Sequence, residues 1–114
     1  MIAVIFEVQS QKNKEHEYFD IAANLSSELH EMSGFISVER FKSMNSPDKF
    51  LSLSFWENEN AISEWRNAKN HRSAQQKGRK QIFTNYRIRV ASVIRDYNIN
   101  ARSTAPSDSN QYHK

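Results

Sequence analysis

The sequence contains no cysteine and only two glycines and two prolines in 114 residues. Without cysteine the chain forms neither disulfide bonds nor thiolate metal sites, as is common in a reducing compartment. No apolar run approaches the ~20 residues that a membrane-spanning helix needs, so we expect no membrane segment. The N-terminal MIAVIFEVQSQK has neither a basic lead-in nor a small-residue cleavage site, and it predicts no secretory signal. Together these absences predict a cytoplasmic protein.

The composition fits one folded domain followed by a polar tail. The hydrophobic fraction is 38% and the aromatic fraction is 11%, which is enough for a modest core. From Asn98 the chain reads NINARSTAPSDSNQYHK, which is rich in Ser and Asn and has little to bury. We therefore predict a domain over residues 1–97 and a disordered tail over 98–114.

Apolar spacing predicts the first half of the fold. Residues 2–8 are almost continuously apolar, which is typical of a strand covered on both faces. From Tyr18 to Met32 apolar residues recur in steps of three and four, which predicts a helix. Gly34 suits the left-handed stop after that helix. Residues 35–56 predict a hairpin that turns at NSPDK, with Phe35 and Phe41 sharing one face of its first strand.

The second half of the chain predicts a second helix and the last strand. Asn58 is a good N-cap for a second helix that carries Trp65 inward. Residues 79–85 suggest a further short helical turn, and YRIRVASVIRDY predicts the last strand. The order strand, helix, strand, strand, helix, strand indicates an α+β, ferredoxin-like βαββαβ fold with a four-stranded antiparallel sheet. The first, third and fourth strands are predicted to be apolar on both faces, but the helices cover only one. Since soluble monomers avoid large apolar patches, we expect a homodimer through the open sheet faces.

Three segments, FISVERF, LSLSFWENENAISEWRNAKNHRSAQQKGR and YRIRV, resemble the antibiotic biosynthesis monooxygenase (ABM) domain family. The resemblance covers residues 1–97 and implies a dimeric α/β barrel with a pocket between the helices and the sheet of each subunit. Known members include cofactor-free monooxygenases of aromatic polyketides or quinols and haem-degrading monooxygenases. The resemblance implies a cofactor-independent monooxygenase that uses dioxygen on a small electron-rich aromatic or quinol in an apolar pocket.

Haem is the cofactor of the second hypothesis, haem binding or degradation. In the haem-degrading branch a tryptophan equivalent to Trp65 lines the pocket, and the iron ligand follows ten residues later, where this sequence has Gln75. That branch also uses an asparagine near the position of Phe6 and Glu7. Because Gln75 is a poor iron ligand, haem would require His71, which shares a helix face with Gln75, as a shifted ligand. A third hypothesis is a non-catalytic dimeric small-molecule-binding module.

Candidate site residues follow from the resemblance and from their types. The catalytic candidates are His71, as a general base, and Tyr86, whose phenol would meet a substrate carbonyl. The substrate-binding candidates are Trp65, Phe6, Glu7, Phe41, Phe55 and Phe83. Each has a purely structural alternative: the aromatic residues as core, Glu7 in an ion pair with Arg40 or Arg89, and His71 as a polar helix residue. The scattered histidines predict no metal site.

One stretch is strongly basic: Trp65 to Arg95 holds nine of the sixteen Lys and Arg residues and no acid. The usual meaning of such a stretch is a solvated surface. The alternative is a positive rim that attracts an anionic ligand to the pocket. Nucleic acid is not expected as a partner, because the aromatic residues are not interleaved as in base-stacking sheets and the net charge is only +3.

Overall fold

A four-stranded antiparallel sheet lies at the centre of the molecule in a computed structural model that describes residues 1–68, 73 and 82–112. Its strands are β1 (Ile2–Ser10), β2 (Phe35–Lys42), β3 (Lys49–Trp56) and β4 (Phe83–Ser92), in the spatial order β2-β3-β1-β4. Helix α1 (Glu15–Glu31) joins β1 to β2, α2 (Glu59–Arg66) follows β3, and a short helix α3 (Ser107–Tyr112) lies beyond β4. The predicted α+β, ferredoxin-like order is confirmed. No helix within the described ranges is long and apolar enough to cross a bilayer.

Two predicted helix boundaries are confirmed by the backbone. Gly34 has a φ of +85° just beyond α1, in the left-handed region that glycine adopts without strain. The side chain of Asn58 accepts a hydrogen bond of 2.9 Å from the backbone N–H of Ala61, which caps the N-terminus of α2. These two residues therefore mark where α1 ends and where α2 begins.

The last strand differs from its prediction at both ends. It begins at Phe83, which pairs with Ser10 across an irregularity in β1, so the predicted helical turn is wrong for residues 83–85; residues 79–81 lie outside the described part. The strand ends at Ser92, whereas the sequence predicted it to run to residue 97. The last pair of the ladder joins Ser92 to Ile2, the first residue of β1, and beyond it Val93 N–H donates to the carbonyl of Met1 at 3.0 Å.

The face assigned to Phe35 is wrong because β2 is irregular at its start. The register with β3 shifts between Phe35 and Ser37, so strict alternation does not hold there. As a result Phe35 packs edge-to-face on Trp56, with ring centroids 5.3 Å apart, on the side of the helices. Ile36, at the irregular position, is 44% exposed.

The core consists of two clusters on the helix side of the sheet. One is built from Leu29, Trp56, Ala61, Ile62 and Trp65. The other is built from Val8, Tyr18, Phe50 and Ile82. Both clusters contribute side chains to the cavity described below.

The outer face of the sheet, which we define as the side away from α1 and α2, is apolar at its centre. It carries Ile5 of β1 and Leu51, Leu53 and Phe55 of β3, all of intermediate exposure. The prediction that β4 is also apolar on this face is wrong within the strand, because Arg87 and Arg89 point outward there. Arg89 forms a 3.2 Å ion pair with Glu7 of β1.

Local hydrogen bonds connect residues after β4. Thr104 Oγ1 donates to the carbonyl of Asp96 at 2.8 Å, and Arg102 Nε donates to Asn110 Oδ1 at 2.8 Å. Helix α3 buries none of its residues. The disorder of residues 98–114 and the boundary at residue 97 stay predictions.

Candidate active site

An open cavity of about 460 Å³ lies between the helices and the sheet. This volume falls within the usual range for small-molecule sites. The described lining is mostly apolar and contains no acidic residue. It consists of Val4, Phe6, Tyr18, Ile21, Ala22, Leu25, Leu29, Val38, Arg40, Ser52, Ser54, Trp56, Ile62, Trp65, Arg66, Phe83, Tyr86, Ile88 and Val90.

The floor of the cavity is formed by two rows of paired residues that cross all four strands. One row runs Arg40, Ser52, Phe6, Ile88, and the next runs Val38, Ser54, Val4, Val90. These residues share a face because side chains alternate along each strand and the registers align. The first row therefore changes from polar at β2 and β3 to apolar at β1 and β4, whereas Ser54 is the polar residue of the second row.

The walls come from one stripe of each helix. Tyr18, Ala22, Leu25 and Leu29 of α1 follow one another in steps of three and four, so all project to the same side. Helix α2 contributes Ile62, Trp65 and Arg66 at its C-terminal end. The Trp65 side chain is both a member of the first core cluster and a cavity wall, with 9% of its surface exposed.

Tyr18 and Arg40 form a polar pair in the cavity lining. Burial raises the pKa of the Tyr18 phenol above its ordinary value of 10.0, while the nearby positive charge of Arg40 opposes that rise. Tyr18 is therefore neutral near pH 7 and retains a hydroxyl that can donate a hydrogen bond. Arg40 carries a full positive charge at any physiological pH.

The side chains of Trp56 and Ser54 form a hydrogen bond with each other in the cavity lining. The indole Nε1–H of Trp56 donates to Ser54 Oγ at 2.9 Å, and both residues are buried. This bond compensates two polar groups that burial would otherwise leave without a partner. It also fixes the plane of the Trp56 ring beside the floor.

Aromatic rings gather at the end of the cavity nearest the start of β4. Phe6 meets Phe83 at 6.1 Å and Tyr86 at 6.0 Å between ring centroids, both edge-to-face. Tyr18 stacks on Phe50 at 5.9 Å and meets Phe83 at 5.8 Å. This geometry is favourable for aromatic pairs and provides faces and edges for a flat ligand.

The structure brings together four of the predicted site residues. Phe6, Trp65, Phe83 and Tyr86 all line the cavity.

Three other predicted site residues lie elsewhere. Glu7, Phe41 and Phe55 alternate with cavity residues on β1, β2 and β3, so they point to the outer face. Glu7 is held there by Arg89, in the ion pair that the sequence offered as its structural alternative. The remaining candidate, His71, and the nearby Gln75 lie outside the described residues.

Several cavity residues were not chosen from the sequence as site residues. Two of them are Arg40 and Trp56, which strand alternation could have identified. Arg40 is two residues from Val38 and Trp56 is two residues from Ser54, so each lies on the same face of its strand as a cavity residue. Tyr18 lies on the predicted apolar stripe of α1. Among the described residues, no group of three His, Asp or Glu side chains is arranged to hold a metal ion.

Comparison with protein families places this geometry in a known group. The family model for antibiotic biosynthesis monooxygenase matches residues 1–77, which is more than half of the chain. A jasmonate monooxygenase of Pyricularia oryzae is 42% identical over 93 residues, which are 82% of this chain and 43% of that protein. The chain thus spans less than half of that relative. The Bacillus subtilis protein YqjZ, which is uncharacterised, is 31% identical over 93 residues, covering 82% of this chain and 79% of its own.

Solved structures show the same fold at low sequence identity. Rv0793 from Mycobacterium tuberculosis superposes with a TM-score of 0.77 at 11% identity, over 85% of this chain and 98% of that one. A proposed antibiotic biosynthesis monooxygenase from Deinococcus radiodurans gives 0.75 at 13% identity, over 87% and 98%. The resemblance inferred from the sequence is confirmed: the chain belongs to the antibiotic biosynthesis monooxygenase family.

Proposed function

We propose that the protein is a cofactor-independent monooxygenase that oxidises a small electron-rich aromatic or quinol in the cavity. The observation that carries the proposal is a 460 Å³ apolar cavity, walled by aromatic rings, in a chain of this family. The similarity to the Pyricularia protein, a jasmonate monooxygenase, supports oxygenation of a small, largely apolar molecule.

The substrate itself supplies the electrons in this reaction. A benzoquinol that reacts with one dioxygen becomes a hydroxybenzoquinone and releases one water, so one oxygen atom enters the ring and the other is reduced. Loss of a proton from the quinol makes the first electron transfer to dioxygen easier. The protein therefore has to exclude water, orient the ring and accept a proton.

The described residues provide the first two of these functions. Phe6, Phe83 and Trp65 flank the space where a ring would lie, and the apolar floor towards β4 excludes water. The hydroxyl of Tyr86 is available at the same end to bind a substrate oxygen. His71, the proton acceptor predicted from the sequence, keeps that role in the proposal.

Assembly as a homodimer is part of the same proposal. The outer face presents Ile5, Leu53 and Phe55 on adjacent strands, with the exposed ring of Phe41 beside them. Pairing of two such faces would remove this apolar surface from water without closing the cavities. We place the dimer in the cytoplasm, as the cysteine-free sequence predicts.

Oxygen uptake with a panel of quinols and polyphenols tests the activity. The proposal predicts consumption of dioxygen with at least one compound, without added haem, flavin or metal. A titration with haem tests the alternative: a Soret shift that disappears in His71→Ala would favour haem binding. Ligand binding without any oxygen uptake would instead favour the non-catalytic binding module.

A further inference from the structure

We propose that the natural ligand of the cavity carries a carboxylate, which binds to Arg40 at the polar edge of the floor while the apolar body lies against the aromatic walls. This inference rests on the proposed function, because it names the class of substrate for the same site. It narrows that class from any electron-rich aromatic or quinol to one that bears an acidic side group.

The described lining of the cavity is positively charged. Arg40 and Arg66 both line it, and its described lining contains no Asp or Glu. Within the described ranges neither arginine has an acidic partner in salt-bridge distance, whereas Glu7 is paired with Arg89 and Glu17 with Lys14. Both arginines are exposed to solvent at the cavity, so each is free to bind an anionic group that enters with the ligand.

Arg40 has polar neighbours in the cavity lining. It pairs with Ser52 across β2 and β3, and Ser52 pairs with Phe6 across β3 and β1, so the three residues share the cavity face of the sheet. The neutral Tyr18 phenol lies next to it. A carboxylate at this point would meet the two-pronged guanidinium and a neutral hydroxyl donor together.

One row of the cavity floor is divided between polar and apolar residues. Arg40 and Ser52 are polar at its β2 end, whereas Phe6 and Ile88 are apolar towards β4. A molecule with one anionic end and one apolar body matches this division, and an uncharged hydrocarbon does not. The relative named for jasmonate is consistent, because jasmonate is the anion of a carboxylic acid.

Binding of matched acid and ester pairs tests the inference without relying on turnover. The probes are naphthylacetate with its methyl ester and jasmonate with its methyl ester, measured by calorimetry near neutral pH at low and high salt. At least one acid should bind about tenfold more tightly than its ester, as expected for a charge-assisted bond. High salt should reduce that preference.

Variants locate the charge that is responsible. Arg40→Met should remove the preference for the acid and leave the affinity for the ester within about twofold, while Arg40→Lys should retain part of it. The control is Arg95→Met, which removes the same charge from an exposed position outside the cavity lining and should change neither affinity. If the melting curve shows that Arg40→Met does not fold, the comparison of acid preference between the wild type and Arg40→Lys still tests whether Arg40 binds the carboxylate.

The outcomes separate this inference from the proposed function. Equal binding of acid and ester, failure of both acids to bind at millimolar concentration, or an equal effect of Arg95→Met overturns the carboxylate site. Oxygen uptake with neutral quinols that persists in Arg40→Met would then leave the monooxygenase proposal standing. Conversely, an Arg40-dependent acid preference without any oxygen uptake would retain the carboxylate site and reject the oxygenase.

Discussion

The guanidinium of Arg40 lies close enough to the buried phenol of Tyr18 to oppose the effect of burial on the pKa of that phenol. Burial raises the pKa of Tyr18, and the positive charge of Arg40 lowers it, with burial the larger effect. One cavity wall thus holds a proton on a phenol directly beside a permanent cation. The pair provides both a hydroxyl donor and a site for negative charge within the lining.

Stability at alkaline pH should depend on Tyr18. Because its pKa in the folded protein is above the unfolded value of 10.0, its contribution to stability is complete below that pH and is lost as the pH rises through the folded pKa. The free energy of unfolding of Tyr18→Phe should therefore fall less steeply than that of the wild type between about pH 9 and pH 11. Urea unfolding of both proteins across this pH range measures the difference between the two slopes. Parallel slopes for the wild type and Tyr18→Phe would contradict the assignment of a raised pKa to Tyr18.

Trp65 is expected to serve both stability and binding. Its ring packs with Leu29 and Ile62 in the first core cluster, so Trp65→Ala should lower the free energy of unfolding by about 3–5 kcal/mol. Trp65→Phe should cost clearly less and retain an aromatic wall. Urea unfolding and calorimetry with the same aromatic ligand provide the two measurements. An unchanged melting curve for Trp65→Ala would show that the ring is not part of the core.

Gly34 should tolerate no side chain. Its φ is +85°, and an added Cβ would lie 2.7 Å from the Cβ of Ala61 at the start of α2. Gly34→Ala should therefore lower the free energy of unfolding by about 2 kcal/mol, from backbone strain together with the clash. Asn13 has a φ of 66°, and Asn13→Gly is the matched control, expected to be neutral or slightly stabilising. Equal stability of Gly34→Ala and the wild type in urea would contradict this account.

The outer face should hold the dimer together. Leu53→Glu places a charge at the centre of that face, and analytical ultracentrifugation at micromolar concentration should show a monomer in place of the wild-type dimer. Ala23→Glu adds the same charge to an exposed position on α1 and should leave the dimer intact. A monomeric wild-type protein would reject the dimer.

Much of the fold could be predicted from local patterns. The apolar stripe from Tyr18 to Leu29 identified α1, Gly34 its end, and Asn58 the start of α2. These predictions succeeded because each depends on the conformation of a few neighbouring residues, which the sequence states directly. The inward position of Trp65 followed from the same helical spacing.

Features that depend on pairing between distant strands could not be predicted in the same way. Phe35 faces the helices because β2 changes register against β3, and β4 ends at Ser92, where its ladder with β1 ends. The sequence also did not show which of the two alternating sets of residues in each strand faces the cavity. Phe41 and Phe55 appeared equivalent to Phe6 and Phe83 for that reason, although the sheet separates them.

The central claim, that dioxygen chemistry takes place in the cavity, is tested most directly by oxygen-18 gas with a quinol that drives uptake. Mass spectrometry should show one labelled oxygen atom per product molecule in the wild type. Ser52→Phe, which fills the middle of the cavity floor, should abolish labelling, whereas Leu53→Phe, on the neighbouring residue of the outer face, should retain it. Product without label, or equal labelling in a folded Ser52→Phe variant, would contradict the account.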